Sequence, residues 1–276
     1  MLKKALEGIL SEEEASELYS AFDQIGDIIV IRIPDSLLPK KKIIGETLLQ
    51  NVRPARSVFY KSSDVEGDFR TRNLEVIAGE DNTQTEYKEF GCRFKVDVEK
   101  AFFSPRLSTE RNRIADLVQD GEVVINMFGG VGMFSIVAAK KKKCTVYNID
   151  LNPHAAKLCE ENIRLNKKLA GTVISIQGDA AQIIKEQLQN KGDRTLMLLP
   201  ERSDEFLESA ISATKSGGII HYYSHQHADK RQDAVEVSKQ HYLQVTPVKS
   251  EVLGGRMVRA VGPRYYQTVV DVRITK

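Results

Sequence analysis

Residues 123–140 read VVINMFGGVGMFSIVAAK: a β-branched run, three glycines, then an apolar run of helix formers. A strand that enters a helix through glycines brings its backbone against a ligand, because glycine tolerates the tight turn and has no Cβ to hold the ligand away. What the loop lacks constrains the ligand. Gly130-x-Gly132 is followed by Ser135 rather than the third glycine or alanine of a dinucleotide fingerprint, and no Gly-Lys-[Ser/Thr] makes a phosphate loop. The next β-rich run, TVYNID, ends at Asp150, 18 residues beyond Gly132, where a carboxylate can accept both hydroxyls of a ribose. The run after it, VISIQGD, ends at Asp179, placed to receive an adenine amino group. An adenosine without phosphates fits this set, so S-adenosylmethionine is the expected cofactor. Read alone, the three glycines would equally serve a tight connection in any α/β protein.

Outward from this loop the same rhythm repeats. From residue 109 the pattern predicts strands at 122–127, 144–149, 172–177, 194–199 and 217–223 with helices between them. Such alternation implies a parallel sheet covered on both faces, with ligands at the carboxyl ends of its strands. Tyr265–Ile274 is β-rich with no following helix and is expected to pair antiparallel at the sheet edge. Before about residue 100 the pattern differs. An amphipathic helix is expected over MLKKALEGILSEEEASELYSAF, then β-runs at Ile28–Ile33 and ending at Val76–Gly79, with a helix over Leu37–Leu49. TQTEYKEFGCRFKVDV alternates like a half-buried hairpin with Tyr87, Phe90, Cys92, Phe94 and Val96 inward. Two domains are expected: a smaller α+β domain over 1–100 and a doubly covered α/β domain over 101–276.

Composition narrows the class without naming a substrate. The 276 residues are 41% hydrophobic and 28% charged, and no apolar run approaches the roughly 18 residues needed to span a bilayer. The first residues alternate charge with Leu2, Leu6, Ile9 and Leu10, unlike a signal peptide. Cys92, Cys144 and Cys159 form neither a metal pair nor a disulfide framework, which fits a reducing cytoplasm. A net charge of +2 permits a nucleic-acid partner through a local basic patch; Arg256, Arg259, Arg264 and Lys40–Lys42 are candidates, with ordinary solvated surface an equal reading. His225 and His227 stand two apart with no further ligand cluster, so a strand-to-helix turn is expected there and no metal.

FDQIGDIIVIRIP, FFSPRLSTERNRI, NMFGGVGMFSIVAAK, NIDLNPHAAKLCEENIRLNK, LPERSDEFL, GGIIHYYSH and RYYQTVVDVRI together resemble the archaeal and eukaryotic tRNA guanine-37 N1-methyltransferases, in order and spacing, over nearly the whole chain from about residue 20. The resemblance implies a Rossmann-like class I methyltransferase sheet behind an N-terminal RNA-contacting domain, with tRNA (its anticodon stem-loop) as partner, no membrane association and a monomeric cytoplasmic enzyme. The additional tRNA-docking domain of many members is not expected here. Methyl transfer to N1 of guanine needs a base, because N1 of the neutral ring carries a proton. Its loss drives charge onto O6, which calls for a positioned cation. By resemblance the base is Glu110 of the Ser-Pro-Arg-x-x-x-Glu-Arg motif. Arg106 and Arg111 would orient the cofactor's methionine carboxylate and the nucleotide. The O6 cation is Arg70 within GDFRTR, with Arg72 its substitute and a substrate contact. Cofactor contacts fall on Arg106, Asn126, Phe128, Gly130, Gly132, Asp150, Leu151, Asp179, Leu198 and Pro200. Without the resemblance, Glu110 reads as an acid in a helix's first turn, where it meets the helix dipole favourably.

Two positions depart from the family pattern. Asn126 stands where the first loop strand normally ends in an acid. Leu198, in Met197-Leu198-Leu199-Pro200, stands where the family places the asparagine of Asn-x-Pro, and leucine neither donates nor accepts a hydrogen bond. Three alternatives follow: the related wyosine-pathway enzyme that transfers the cofactor's aminocarboxypropyl group, a non-catalytic tRNA-binding relative, or a methyltransferase of another acceptor. The aminocarboxypropyl branch typically has glycine after Ser-Pro, so Arg106 favours methyl transfer.

Overall fold

The computed structural model describes every residue except 1–5, 19–21, 63–66, 68, 70 and 72. Arg70 and Arg72 therefore lie outside the described residues. The chain forms two compact units, Met1–Arg106 and Leu107–Lys276.

In the first unit, β1 (Phe22–Ile25), β2 (Ile28–Ile31), β3 (Ser57–Lys61) and β4 (Leu74–Gly79) form one sheet in that order. Only β2 and β3 are parallel. A parallel pair needs a crossover, and the helix Lys41–Asn51 provides it, laying Ile44 and Leu48 against Ile29, Ile31, Val58 and Ile77. The helix expected from Leu37 starts later, because Pro39 sits in a 3₁₀ turn, Asp35–Lys40, before regular α-structure begins. The long N-terminal helix is also shorter than its pattern. Gly8 adopts φ +79°, and the helix α1 begins only after Ser11, whose side chain and that of Glu14 cap each other's backbone over Glu12–Glu17. We number the crossover helix α2.

The expected hairpin forms from β5 (Gln84–Glu89) and β6 (Cys92–Asp97), with Cys92, Phe94 and Val96 buried and Tyr87 edge-on to Phe103 at 5.0 Å. Phe90 departs from the alternation: it occupies the turn at φ 47° and is exposed. Thr85 of β5 donates to Asp27 (2.6 Å), which pairs with Arg56 at 2.7 Å.

The second unit is a seven-stranded sheet in the order β12-β13-β11-β10-β7-β8-β9. Its strands are β7 (Val123–Asn126), β8 (Thr145–Asp150), β9 (Thr172–Gln177), β10 (Gly192–Met197), β11 (Thr214–His227), β12 (Lys249–Gly262) and β13 (Tyr265–Thr275). The helices are α3 (Ser108–Leu117), α4 (Met133–Lys141), α5 (Pro153–Leu165), α6 (Ala180–Ile183), α7 (Ser203–Ala213) and α8 (Ala234–Val245). β7 to β11 are mutually parallel, and β13 runs antiparallel to β11. β13 is not the edge, however. β12, unassigned in the sequence, pairs along its outer side, and Val270 and Val272 are wholly buried in the core with Leu207 and Tyr242. His225 and His227 belong to the end of β11 rather than to a turn. The order reverses between β10 and β7, the switch point at which open α/β sheets hold ligands.

Gly26, in the β1–β2 turn, has φ +57°, and a Cβ there would lie 2.3 Å from Thr85 Oγ1 and 2.5 Å from the Glu86 carbonyl. Gly91 has a similar φ of +71° with open space around it. Gly26→Ala is therefore expected to lower unfolding free energy by about 2–4 kcal/mol and Gly91→Ala by about 1 kcal/mol. Urea unfolding of both variants checks this, and equal losses would show that the Thr85 contact is not limiting.

Candidate active site

The switch point is built from the glycine loop and the segment after β10. β7 ends at Asn126, opposite Leu196 of β10 and Asn148 of β8. Beyond it the loop folds back: Gly129 donates to the Ile149 carbonyl at 2.7 Å, and Gly132 donates to Gly129 at 3.0 Å. Gly132 takes φ +88° as the N-cap of α4, and a Cβ there would meet Cys159 Sγ at 2.6 Å. A polar plug lies beneath: Asn126 donates to Ser135 (3.1 Å), and Ser135 donates to Asn148 (2.6 Å). The Asn126 side-chain carbonyl is buried with no hydrogen-bond partner, an acceptor that a ligand or water would satisfy.

Asp150 and the loop are joined directly. The Gly130 amide donates to one carboxylate oxygen of Asp150 at 2.6 Å and the Asn152 amide to the other at 2.9 Å. Leu151 is exposed beside Asp150. Asp179 caps α6, accepting from Gln182 N at 2.9 Å through one oxygen. Phe128 meets Phe206 of α7 edge-on at 4.9 Å, drawing the loop toward the segment Leu198–Arg202. Leu198 is half-buried and Pro200 buried; the Leu199 carbonyl accepts from Ser203 Oγ at 3.0 Å and Arg202 N at 3.1 Å. The loop, Asp150, Asp179 and the orphaned Asn126 oxygen together fit an adenosine: close backbone, two strand-end carboxylates and one buried acceptor.

Glu110 sits in the first turn of α3, yet it is not a surface capping acid. It is only 2% exposed. Arg113, one turn on, donates to it through Nη2 at 2.7 Å and Nε at 3.0 Å, and Tyr223 OH donates at 2.6 Å. Arg256 of β12 approaches the other oxygen at 3.7 Å. Arg113 also pairs with Asp271 of β13 at 2.5 Å, and Asp271 meets His221 Nδ1 at 2.5 Å. His221 Nε2 lies 2.7 Å from Arg194, which pairs with Glu122 at 2.8 Å. Arg194 can only donate, so Nε2 accepts and Nδ1–H donates to Asp271, which is the neutral tautomer. Burial, with Arg194 and Arg113 nearby, lowers the pKa of His221 despite Asp271, consistent with that state. Burial alone would raise the Asp271 carboxyl, but His221 and Arg113 outweigh it and hold it well below the usual carboxylate range. Burial and the Glu110 charge push the Tyr223 phenol well above its ordinary value, so it stays a donor.

The remaining sequence candidates divide. Arg111 is buried with its guanidinium 5.9 Å from the Phe134 ring centre, beside the start of α4. Arg106 pairs with Asp23 of β1 at 2.8 Å within the first unit. The candidate phosphate contacts mostly have internal partners: Lys40 with Glu14, Lys41 with Glu75, Arg264 with Asp229. Arg113, Tyr223 and Asp271 escaped the sequence reading, and Arg256, read as a candidate phosphate contact, lies 3.7 Å from Glu110. Arg113 lies on a helix and Tyr223 and Asp271 in two different strands, at spacings that tertiary contact alone connects.

The TRM5/TYW2 methyltransferase domain family matches residues 85–246, and the TYW2 N-terminal domain family matches residues 2–83. The chain is 43% identical to the tRNA (guanine(37)-N(1))-methyltransferase Trm5b of Pyrococcus abyssi, over 94% of this chain and 76% of that one. It is 35% identical to the tRNA 4-demethylwyosine(37)-methyltransferase Taw21 of Saccharolobus solfataricus, over 95% of this chain and 96% of that one. Among solved structures, Methanocaldococcus jannaschii Trm5 in complex with adenosine superposes with a TM-score of 0.80 at 35% identity, covering 96% of this chain and 77% of that one.

Because folding depresses the Asp271 pKa, its contribution to stability is fully present above the unfolded value of about 3.9 and is lost as pH falls from there toward the folded value. Asp271→Asn is expected to cost about 3 kcal/mol at pH 7 by leaving Arg113 underpaired. The gap to the parent should shrink below about pH 4. Denaturant unfolding across pH checks this, and a gap unchanged at low pH would show that Asp271 is not ionised in the folded state.

Proposed function

The chain belongs to the TRM5/TYW2 methyltransferase family, and from that membership we propose that it transfers a methyl group from S-adenosylmethionine to N1 of guanosine 37 in tRNA. The observation that carries the reading is Glu110, a buried carboxylate oriented by Arg113 and Tyr223 in the same unit as a glycine loop fitted to adenosine. We assign the cofactor's ribose to Asp150, its adenine to Asp179 and Leu151, and its close backbone contact to Phe128, Gly130 and Gly132. Asn126 would complete the pocket floor. Bound there, the cofactor supplies an electrophilic methyl group.

The protein's own work lies at the acceptor. Glu110 takes the N1 proton; one of its oxygens accepts from Tyr223 and Arg113 Nη2, and the other accepts from Arg113 Nε with Arg256 3.7 Å away. Arg113 and Tyr223 keep the carboxylate oriented while the proton arrives. Arg111 is assigned to the nucleotide, and Arg106 to the methionine carboxylate, exchanging it for Asp23. Arg70, with Arg72 beside it, is the proposed cation for O6. The first 100 residues would serve as the RNA-contacting domain and residues 101–276 as the methyltransferase, acting as a cytoplasmic monomer on the anticodon stem-loop.

A second reading has its own support. Taw21 matches this chain end to end, the N-terminal match is to the TYW2 type, and Leu198 is apolar. An acceptor already elaborated at position 37, or transfer of the aminocarboxypropyl group, would fit those features.

Incubation with S-adenosylmethionine and tRNA transcripts carrying guanosine or adenosine at position 37, with the product nucleoside identified by mass, separates the readings. 1-Methylguanosine on the first transcript alone is expected, with Glu110→Gln slowing single turnover by about 10²- to 10⁴-fold. A heavier aminocarboxypropyl product, or methylation only of tRNA bearing a wyosine precursor, moves the protein to the second reading. Cofactor and tRNA binding without any product would sink both.

A further inference from the structure

Three groups close around Glu110, and they arrive from different elements. Arg113 reaches it from one turn along α3, Tyr223 OH from β11 at 2.6 Å, and Arg256 Nε from β12 at 3.7 Å. The sheet sets the last two on one face. Tyr223 and Arg256 stand directly opposite Val269 of β13, one on each side of it, and residues paired across strands project to the same face.

Their commitments differ. Arg113 is shared with Asp271 at 2.5 Å, and Tyr223 is wholly buried. The Arg256 side chain is 39% exposed and Glu110 only 2%, so Arg256 forms the solvent side of the contact. A separation of 3.7 Å is too long for a hydrogen bond. Among the described residues Glu110 is its only ionic partner, and its guanidinium donors make no hydrogen bond. Arg256 is thus a cation held beside the candidate base with its donors available.

Guanine presents a matching pair. N1–H is a donor, and O6, its neighbour on the Watson–Crick edge, is an acceptor. A carboxylate and a guanidinium side by side meet those two atoms with complementary groups. The match improves as the proton moves. N1 passes its proton to Glu110, which becomes neutral, and the electron pair left behind spreads from N1 onto O6. The negative charge facing Arg256 therefore moves from the carboxylate to O6, while Arg113 keeps Asp271. N1 then forms its bond to the methyl carbon, the carbon–sulfur electron pair stays on sulfur, and the charge on O6 disappears. An interaction that is strongest midway lowers the barrier rather than tightening binding.

We propose that Arg256 is a catalytic residue of this transfer, donating from its guanidinium to O6 of the acceptor guanine while Glu110 takes the N1 proton. The proposal rests on the N1-methylation reading and adds to it a group carried by the methyltransferase unit. O6 has two lone pairs, so a donor from Arg256 leaves one for Arg70.

The test is single-turnover methyl transfer at saturating RNA, on transcripts with guanosine or 6-thioguanosine at position 37, with the N1-methyl nucleoside quantified by chromatography and mass. RNA affinity is measured alongside by fluorescence anisotropy with S-adenosylhomocysteine present. On guanosine, Arg256→Ala is expected to slow the step by about 10²- to 10³-fold, the cost of removing one such donor, with RNA affinity little changed. Arg256→Lys, which keeps the charge without the planar fork, should recover part of the rate. Sulfur is a weak acceptor, so Arg256→Ala should slow methylation of 6-thioguanosine by a clearly smaller factor. If Arg256→Ala fails to fold, Arg256→Met, of similar length and without donors, carries the comparison. An unchanged rate at saturating RNA would overturn the proposal, and a loss confined to RNA affinity would make Arg256 a phosphate contact instead. Equal slowing on both acceptors would overturn it too, by showing that Arg256 acts through Glu110. A parent protein that makes no 1-methylguanosine would overturn the N1 reading and this proposal together, whereas an active parent with an equally fast Arg256→Ala variant overturns this proposal alone.

Discussion

Arg113 is held between two carboxylates, Glu110 at 2.7 Å and Asp271 at 2.5 Å, and much of the second unit is arranged around that clamp. Buried charges persist only when paired and hydrogen-bonded. Here three acids, Glu110, Asp271 and Glu122, alternate with Arg113 and Arg194, a neutral His221 bridges the middle, and Arg256 stands at the rim. The chain crosses from α3 through β13 and β11 to β10 and the residue that precedes β7. Each of those elements must keep its register for the pairs to form. A slip of one residue in β11 would turn His221, Tyr223 and His225 to the opposite face. One network therefore fixes the sheet's central register and aims the carboxylate that the chemistry needs.

Local sequence carried the methyltransferase half well, and for identifiable reasons. β7 to β10 are short and separated by helix-periodic runs, so period and punctuation agree with the final sheet, while β11 extends over 14 residues beyond the run its pattern marks. The glycine loop, Asp150 and Asp179 were legible because backbone approach and strand-end acids leave marks at fixed spacing. Errors arose where a local pattern met a nonlocal partner. Tyr265–Ile274 reads as an edge strand until β12 pairs with it across a hairpin rich in arginine and glycine. Phe90 breaks the alternation because the hairpin turn needs its residue at positive φ. Gly8 and the Ser11–Glu14 box shorten a helix whose amphipathic pattern runs straight through them.

The site was only half visible for the same reason. Glu110 stood out by resemblance to a family motif, while its environment in sequence suggested a solvated cap. Its burial is set by Tyr223 and Arg113, and Arg113 in turn by Asp271, 158 residues away. No spacing rule links those positions. Leu198 looked like a defect in the acceptor pocket when read along the chain. In space, Leu198 is half-buried on the segment that joins β10 to α7.

The central claim is that Glu110, aimed by Arg113 and Tyr223, meets N1 of the acceptor base. The most direct measurement is an experimental structure of the protein with S-adenosylhomocysteine and an anticodon stem-loop RNA. The account predicts the base of nucleotide 37 turned out of its loop with its N1 toward Glu110. A base seated away from Glu110, with Glu110 still closed in by Arg113 and Tyr223, would contradict it.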